Sequence, residues 1–387
     1  MKLGLHCQRI PCWANDWYRK SGAKYIKQVG NFAQVPGATV IGRAYWPQED
    51  VNRIVALGAR GADEYVEWLL PITREHKYIR FWESPNEPSI WIPEVLEGFA
   101  SFTRRFIQRM HKEGLPVIVG QINTGWPTKK QIDKIGPGLE GADGLGLHEY
   151  AEPELWNGNG WTTLRYRRTR QWLLANGYYC PPIYITELGI DRWDRDKGHL
   201  GWKTLLKPHE PEDRPALDRY AEQLAWYERE IQKDDYVVCA TIFTAGPYLN
   251  SEKPNEWGDF EATEELMERF LWKLSQDDED GGSAPVPSPS PGPGNGGTMD
   301  DIKFYDRFGQ REMTQAEWEA VFGPVEVDQG QTVHLVALSE AATRRGFSLF
   351  CTGPGVAPHR PSRGRTYRSM YWARAMRCPI RDPTGSQ

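Results

Sequence analysis

Eight short apolar runs, separated by longer stretches of helical periodicity, constrain the fold of this 387-residue chain more than any other feature. The runs are Leu3–Cys7, Tyr25–Val29, Thr39–Ala44, Ile79–Glu83, Val117–Ile122, Gly144–His148, Ile183–Glu187 and Val237–Phe243. Between them, Pro93–Glu113, Leu164–Asn176, Pro215–Lys233 and Glu261–Leu274 carry apolar residues at three- and four-residue spacing, the signature of a helix with one buried face. Strands alternating with helices predict a parallel sheet, because a parallel neighbour needs a crossover connection. Eight such units over about 270 residues predict a closed (β/α)8 TIM barrel, with a doubly wound open sheet as the alternative reading of the same alternation. The connection from the second run to the third is short for a full helix.

The barrel ends at a change of composition. Residues 277–300 read DDEDGGSAPVPSPSPGPGNGGTMD, an acidic patch followed by five prolines alternating with Ser and Gly. Such a segment has nothing to bury and is expected as a semi-extended, disordered linker. It divides a catalytic-sized domain, 1–276, from a small C-terminal segment, 301–387. That segment has one short helical pattern, TQAEWEAVF, and one strand-like run, Val333–Leu338. From Arg344 onward it has nine arginines and one acidic residue, too few aliphatics for a core of its own. A basic tail of this kind could touch anionic cell-wall polymers or nucleic acid, but it is expected as an altered or disordered end.

Active sites of TIM barrels lie at the C-terminal ends of the strands, so carboxylates at those ends are the candidates for chemistry. Glu87 follows the fourth run in Asn86-Glu87-Pro88, and Glu187 closes the seventh, 100 residues later. Strands four and seven of a closed barrel face each other across its mouth, so the two side chains can flank one bond. Glycosidic cleavage needs that pairing: one carboxylic acid protonates the departing oxygen while a second carboxylate attacks the anomeric carbon. A separation of about 5–5.5 Å gives a covalent intermediate and retention of configuration. Glu83 competes for the role, but strand alternation sets it on a different layer, as a structural hydrogen-bonding residue.

Asn86-Glu87 after strand four, with a glutamate ending strand seven, resembles the clan A glycoside hydrolases over about Met1–Leu274. The resemblance implies Glu87 as acid/base, Glu187 as nucleophile and Asn86 as the partner of a sugar 2-hydroxyl. His148 and Tyr150, in Leu147-His148-Glu149-Tyr150 at the sixth strand end, resemble the clan's His-x-Tyr arrangement beside the nucleophile. Arg43 is similar to its early-strand arginine, which keeps the nucleophile ionised. The sequence departs from the pattern at strand eight, where TIFTAG supplies Phe243 in place of the usual tryptophan; Trp257, in the following loop, is the available substitute.

Tryptophan usage gives an independent line. Ten of 17 follow strand runs: Trp13, Trp17, Trp46, Trp91, Trp126, Trp156, Trp161, Trp193, Trp202 and Trp257. That is where rings would stack on the C–H faces of sugars, with Asn123, Asn157 and Asp191 at similar positions for the hydroxyls. Trp68, Trp172, Trp226 and Trp272 fall within helical patterns and are expected in the core. The net charge of −5 and pI near 6.0 do not suit a nucleic-acid partner for the barrel. No run approaches the roughly 20 apolar residues of a membrane span. Met1 leads straight into a strand, so the chain is expected to act inside the cell or after removal of a leader.

Six cysteines show no CxxC pairs, which speaks against a thiolate metal site; a Cys7–Cys12 bridge is one option. Neither a Gly-x-Ser-x-Gly elbow nor His-Glu-x-x-His is present, so acyl and metallopeptide hydrolysis are remote. The expectation is a retaining O-glycosidase for a β-linked oligo- or polysaccharide, working without metal or organic cofactor. A non-catalytic carbohydrate-binding barrel is its rival.

Overall fold

The structure, a computed structural model, describes residues 1–158, 160–208, 213–247 and 257–279, with two further short strands, Phe304–Tyr305 and Glu312–Met313. Eight parallel strands close into a barrel: β1 (Leu3–Cys7), β2 (Tyr25–Val29), β3 (Thr39–Arg43), β4 (Phe81–Glu83), β5 (Val117–Ile122), β6 (Gly144–Ala151), β7 (Ile183–Ile190) and β8 (Val237–Ala245). Neighbours in sequence are neighbours in the sheet, and β8 closes on β1 with Leu3 opposite Ala240.

Two strands outrun the sequence expectation. β6 and β7 each continue three residues past His148 and Glu187, because those residues go on pairing with one another as far as Ala151 opposite Ile190. β4 is shorter, its ladder limited to two partners on each side.

Helices cover the outside: α1 (Ala14–Ser21), α2 (Gln48–Ala56), α3 (Ala59–Glu75), α4 (Pro93–Lys112), α5 (Tyr166–Ala175), α6 (Ala216–Gln232) and α7 (Glu264–Glu279). α4 shows why they form. Pro93 sits in its first turn, where no amide is missed. Val95, Phe99, Phe102, Phe106 and Met110 recur on one buried face, each large side chain contributing roughly 1.5–3 kcal/mol of burial. No helix links β2 to β3, and only short helical turns join β5 to β6, so the outer layer is incomplete there. α7 runs to Glu279, three residues into the expected linker. No helix among the described residues is long and apolar enough to cross a membrane.

Inside the barrel the residues are layered. Tyr25, Ile41, Phe81, Ile118, Tyr184 and Cys239 form an apolar floor, separate from the larger core between strands and helices. Two residues further along β2, β3 and β4 come Lys27, Arg43 and Glu83, which by strand alternation share that inward face. An apolar floor under a charged layer positions the site.

The chain divides into two compact units, Met1–Ala284 and Pro285–Gln387. In the second, Phe304–Tyr305 and Glu312–Met313 pair antiparallel. The TQAEWEAVF pattern, the Val333–Leu338 run, the arginine-rich tail and all but the first three residues of the expected linker lie outside the described residues.

Candidate active site

Glu187 lies on β7 opposite His148 of β6, at a shift in register between Leu147 and His148 that turns the imidazole toward it. Its carboxylate is almost enclosed, the residue being 6% exposed. One oxygen, Oε1, accepts from Arg43 Nη1 at 2.9 Å and from Lys27 Nζ at 3.1 Å. His6 Nε2 is 3.7 Å from the same oxygen. The other, Oε2, accepts from the Tyr150 hydroxyl at 2.9 Å and lies 3.4 Å from His148 Nδ1. Burial alone would favour the neutral acid, but the positive surroundings of His148, Lys27, Arg43 and His6 hold Glu187 well below the usual carboxylate range. His6 is pushed down toward its neutral form by burial and by Lys27. Burial first, and then Glu187, push the Tyr150 phenol well up, which keeps its proton in place to donate.

Lys27 is the residue that the sequence reading passed over. It is fully buried and spans Glu187 and Glu83, with Nζ 3.2 Å from Glu83 Oε2. Glu83, expected as a structural hydrogen-bonding residue, is held instead by this ion pair inside the barrel, and neither of its oxygens has a hydrogen-bond partner among the described residues. The available signal was a lysine at an inward position of a buried strand, in YIKQV.

Glu87 is more open, its side chain 25% exposed. It adopts a left-handed backbone (φ 42°), a conformation costly for a residue with a Cβ and frequent at functional sites. Its amide donates to the Gln121 carbonyl at 3.1 Å. Gln121 lies on a bulge of β5 beside Gly120 (φ 104°), and its side chain accepts from the Thr186 hydroxyl at 2.6 Å. The loop bearing Glu87 is thus tied to the residue preceding Glu187. Glu87 Oε1 is 2.8 Å from His148 Nδ1. One oxygen of each glutamate and a ring nitrogen of His148 all lie within 4.8 Å of one another. Three such groups could hold a metal ion, but the Arg43 and Lys27 charges already on Glu187 would repel one.

Asn86 stands beside the pair, its Oδ1 accepting from Arg43 Nη1 and its Nδ2 donating to Gln48 at 3.0 Å. One amide hydrogen remains for a ligand. A small cleft here is lined by Arg43, Asn86, Trp46 and Tyr45. Tyr45, 69% exposed, is an aromatic surface that the tryptophan pattern of the sequence does not include.

The other aromatic residues divide. Phe243 packs against His6 and Tyr150, and Trp257 meets it edge-on at 5.3 Å, bringing the indole to the same wall. Trp193 lies against His199, which faces Trp257. Trp91 and Trp126, in the loops after β4 and β5, face each other at 5.7 Å. Trp17 and Trp202 are buried in the core and offer no platform, since α1 and a one-turn helix after β7 carry them inward. Trp272, expected in the core, is 47% exposed on α7, with Arg269 and Lys273 over its ring. Cys7 and Cys12 are both free thiols, one buried and one exposed, so the bridge is not formed.

No protein-family model matches the chain. Among curated proteins it is similar to the 1,4-alpha-glucan branching enzyme of Burkholderia thailandensis, 28% identical over 170 residues, covering 41% of this chain and 19% of that one. It is also similar to one from Xanthomonas campestris, 31% identical over 120 residues, covering 31% and 15%. The match thus spans less than one fifth of the length of these relatives. Similar solved structures include a family 39 glycoside hydrolase from Bacteroides cellulosilyticus, 11% identical, with a TM-score of 0.42, covering 85% of this chain and 77% of that one. Others are a family 1 β-glucosidase from Thermotoga maritima (13%, TM-score 0.38, 70% and 86% covered) and an endo-β-1,4-mannanase from Thermotoga petrophila (10%, TM-score 0.40, 72% and 77% covered).

Proposed function

We propose that the chain is a retaining O-glycosidase of the clan A type, cleaving a β-linked oligo- or polysaccharide with Glu187 as nucleophile and Glu87 as acid/base. The observation that carries this reading is the approach of two differently housed carboxylates, within 4.8 Å, at the C-terminal mouth of the barrel. That spacing suits direct attack and leaves no room for the water molecule that an inverting enzyme places between substrate and base.

The different housing of the two carboxylates supports this division of roles. Glu187, enclosed and held as an anion, attacks the anomeric carbon as Glu87 gives its proton to the departing oxygen. Arg43, Lys27 and Tyr150 keep the nucleophile oriented, and Asn86 offers its remaining amide hydrogen to the sugar. In the second step Glu87, now ionised, takes a proton from the water that breaks the glycosyl–Glu187 ester. Tyr45 and Trp257 supply the aromatic faces.

Glu87→Gln tests the assignment through the leaving group. Activated aryl glycosides depart almost unaided, so they should still glycosylate Glu187, giving a burst of phenol and then a slow phase that azide relieves. Saccharides with alkoxide leaving groups should lose about 10²–10⁴-fold in rate, the usual contribution of a general acid. Equal losses on both substrates, with no burst, would move the acid role elsewhere.

A further inference from the structure

Beside the carboxylate pair, the rim of the barrel holds a larger cavity that the proposed chemistry leaves unused. It is an open cleft of about 600 Å3 where the chain leaves β1 at Arg9 and β8 at Gly246, within the range of small-molecule sites. A hairpin after β7, Arg192–Asp194 paired with Gly198–Leu200, forms one wall. We propose that this cavity binds a sugar unit carrying a carboxylate, a uronate, in the saccharide that the carboxylate pair acts on; in that respect it rests on the glycosidase reading.

Three observations lead there. The first is His199, whose side chain is 7% exposed and lines the cavity. Both oxygens of Asp191 hold its Nδ1, at 2.8 and 3.0 Å, while its buried Nε2 has no hydrogen-bond partner among the described residues. A buried polar atom of this kind is costly unless something fills it.

The second is charge. Of the acids on the wall, Asp259 accepts from the Gly201 amide and the Thr204 hydroxyl, and Glu261 is paired with Lys203. Among the described residues Arg9 contacts only the Pro247 carbonyl through its side chain, and Lys197 has the Asp194 carboxylate as a charged neighbour. The lining therefore carries three cations, Arg9, Lys197 and Lys203, against two acids, Asp259 and Glu261, an excess of one that suits an anion.

The third is position. His199 faces Trp257 at 5.6 Å, Trp257 meets Phe243 at 5.3 Å, and Phe243 packs on Tyr150, whose hydroxyl is bonded to Glu187. One aromatic wall thus runs from the cavity to the carboxylate pair, and a sugar chain lying along it would set its neighbouring unit against Arg9 and His199.

Calorimetric titration of the full chain with methyl β-D-glucuronide and methyl β-D-glucoside tests this, since the two differ only in the carboxylate. The glucuronide should bind at least about tenfold tighter, as one charge-assisted hydrogen bond allows. Arg9→Met with Lys197→Met should erase that preference and leave the weaker glucoside binding as it was. Both residues are exposed, so the fold should survive, with an unchanged melting temperature as the control. Equal binding of the two sugars, or a preference that outlasts the double substitution, would overturn the inference. Binding and turnover separate the two proposals: a chain that prefers the glucuronide but cleaves nothing sinks the glycosidase alone. One that cleaves neutral glycosides without any preference sinks only this one.

Discussion

Glu187 carries a charge that its burial opposes, and the cations that offset the cost come from two different strands. Arg43 was visible in the sequence as the arginine ending β3; Lys27 was not, because a single lysine within YIKQV has no motif. Its meaning emerges only when the barrel closes and places it between Glu83 and Glu187. Truncating it to Lys27→Met removes one side of a buried ion cluster and leaves Glu83 unpaired, which costs roughly 3–5 kcal/mol of stability. The same change removes a charge that depresses the Glu187 pKa. Because the proposed nucleophile must be ionised, the acid limb of the pH–rate profile should move up. Adding Glu83→Leu should restore most of the stability, since the orphaned charge is gone, yet leave the acid limb displaced. Chemical denaturation and a pH–rate profile of both variants check this. An acid limb that stays in place would mean that Arg43 alone ionises Glu187.

Strands were more legible than the connections between them. Each strand announced itself by a run of apolar residues, and the carboxylates could be found because they stand where runs end. The hairpin after β7 was missed, since RWDRDKGHL is polar and its pairing depends on the Gly198 turn (φ 80°). β6 shows how a strand can serve both sides of its sheet. His148 and Tyr150 reach the candidate site, whereas Glu149, between them, points the other way. It accepts the amides of Leu164 and Tyr166, at 2.6 and 3.0 Å, and the Tyr227 hydroxyl at 2.7 Å. It thereby ties the start of α5 and the body of α6 to the barrel. Burial pushes its pKa up to about 7 despite those three donors. A carboxyl raised in the folded state from 4.5 to about 7 stabilises the fold fully below pH 4.5 and loses that contribution as pH rises through 7. The loss amounts to about 3 kcal/mol. Glu149→Gln cannot ionise, so its unfolding free energy should fall by that much less between pH 4.5 and 7.5 than the wild type's. Urea titrations at the two pH values measure the difference, and parallel losses in both proteins would refute it.

At the scale of the whole chain, the apolar core accounts for which part can stand alone. Every buried apolar residue among those described lies between Leu3 and Phe270, inside the compact unit that ends at Ala284. α7, the last helix of that unit, packs on α6 and α1, near the chain's beginning, so the barrel's helical layer is completed before the proline-rich stretch begins. The expected linker, 277–300, spans the division between the two units at Ala284, and prolines alternating with Ser and Gly cannot extend a core. The helix α7 continues three residues into that expected linker. The site residues Arg43, Asn86, Glu87, His148, Tyr150 and Glu187, and the cavity at Arg9 and His199, all fall within the same unit. A chain ending at Ala284 should therefore keep both its stability and its chemistry. Its melting temperature should stay within about 4 °C of the full chain's, a shift of under about 1 kcal/mol for a unit of this size. On any aryl glycoside that the full chain cleaves, kcat/KM should agree within about twofold, because no group touching a small substrate is removed. Differential scanning calorimetry and initial rates on the two chains provide the comparison. A truncated chain that aggregates or melts far lower would show that residues beyond Ala284 cover apolar surface of the barrel. A normal melting temperature with lost turnover would instead place part of the site in the second unit.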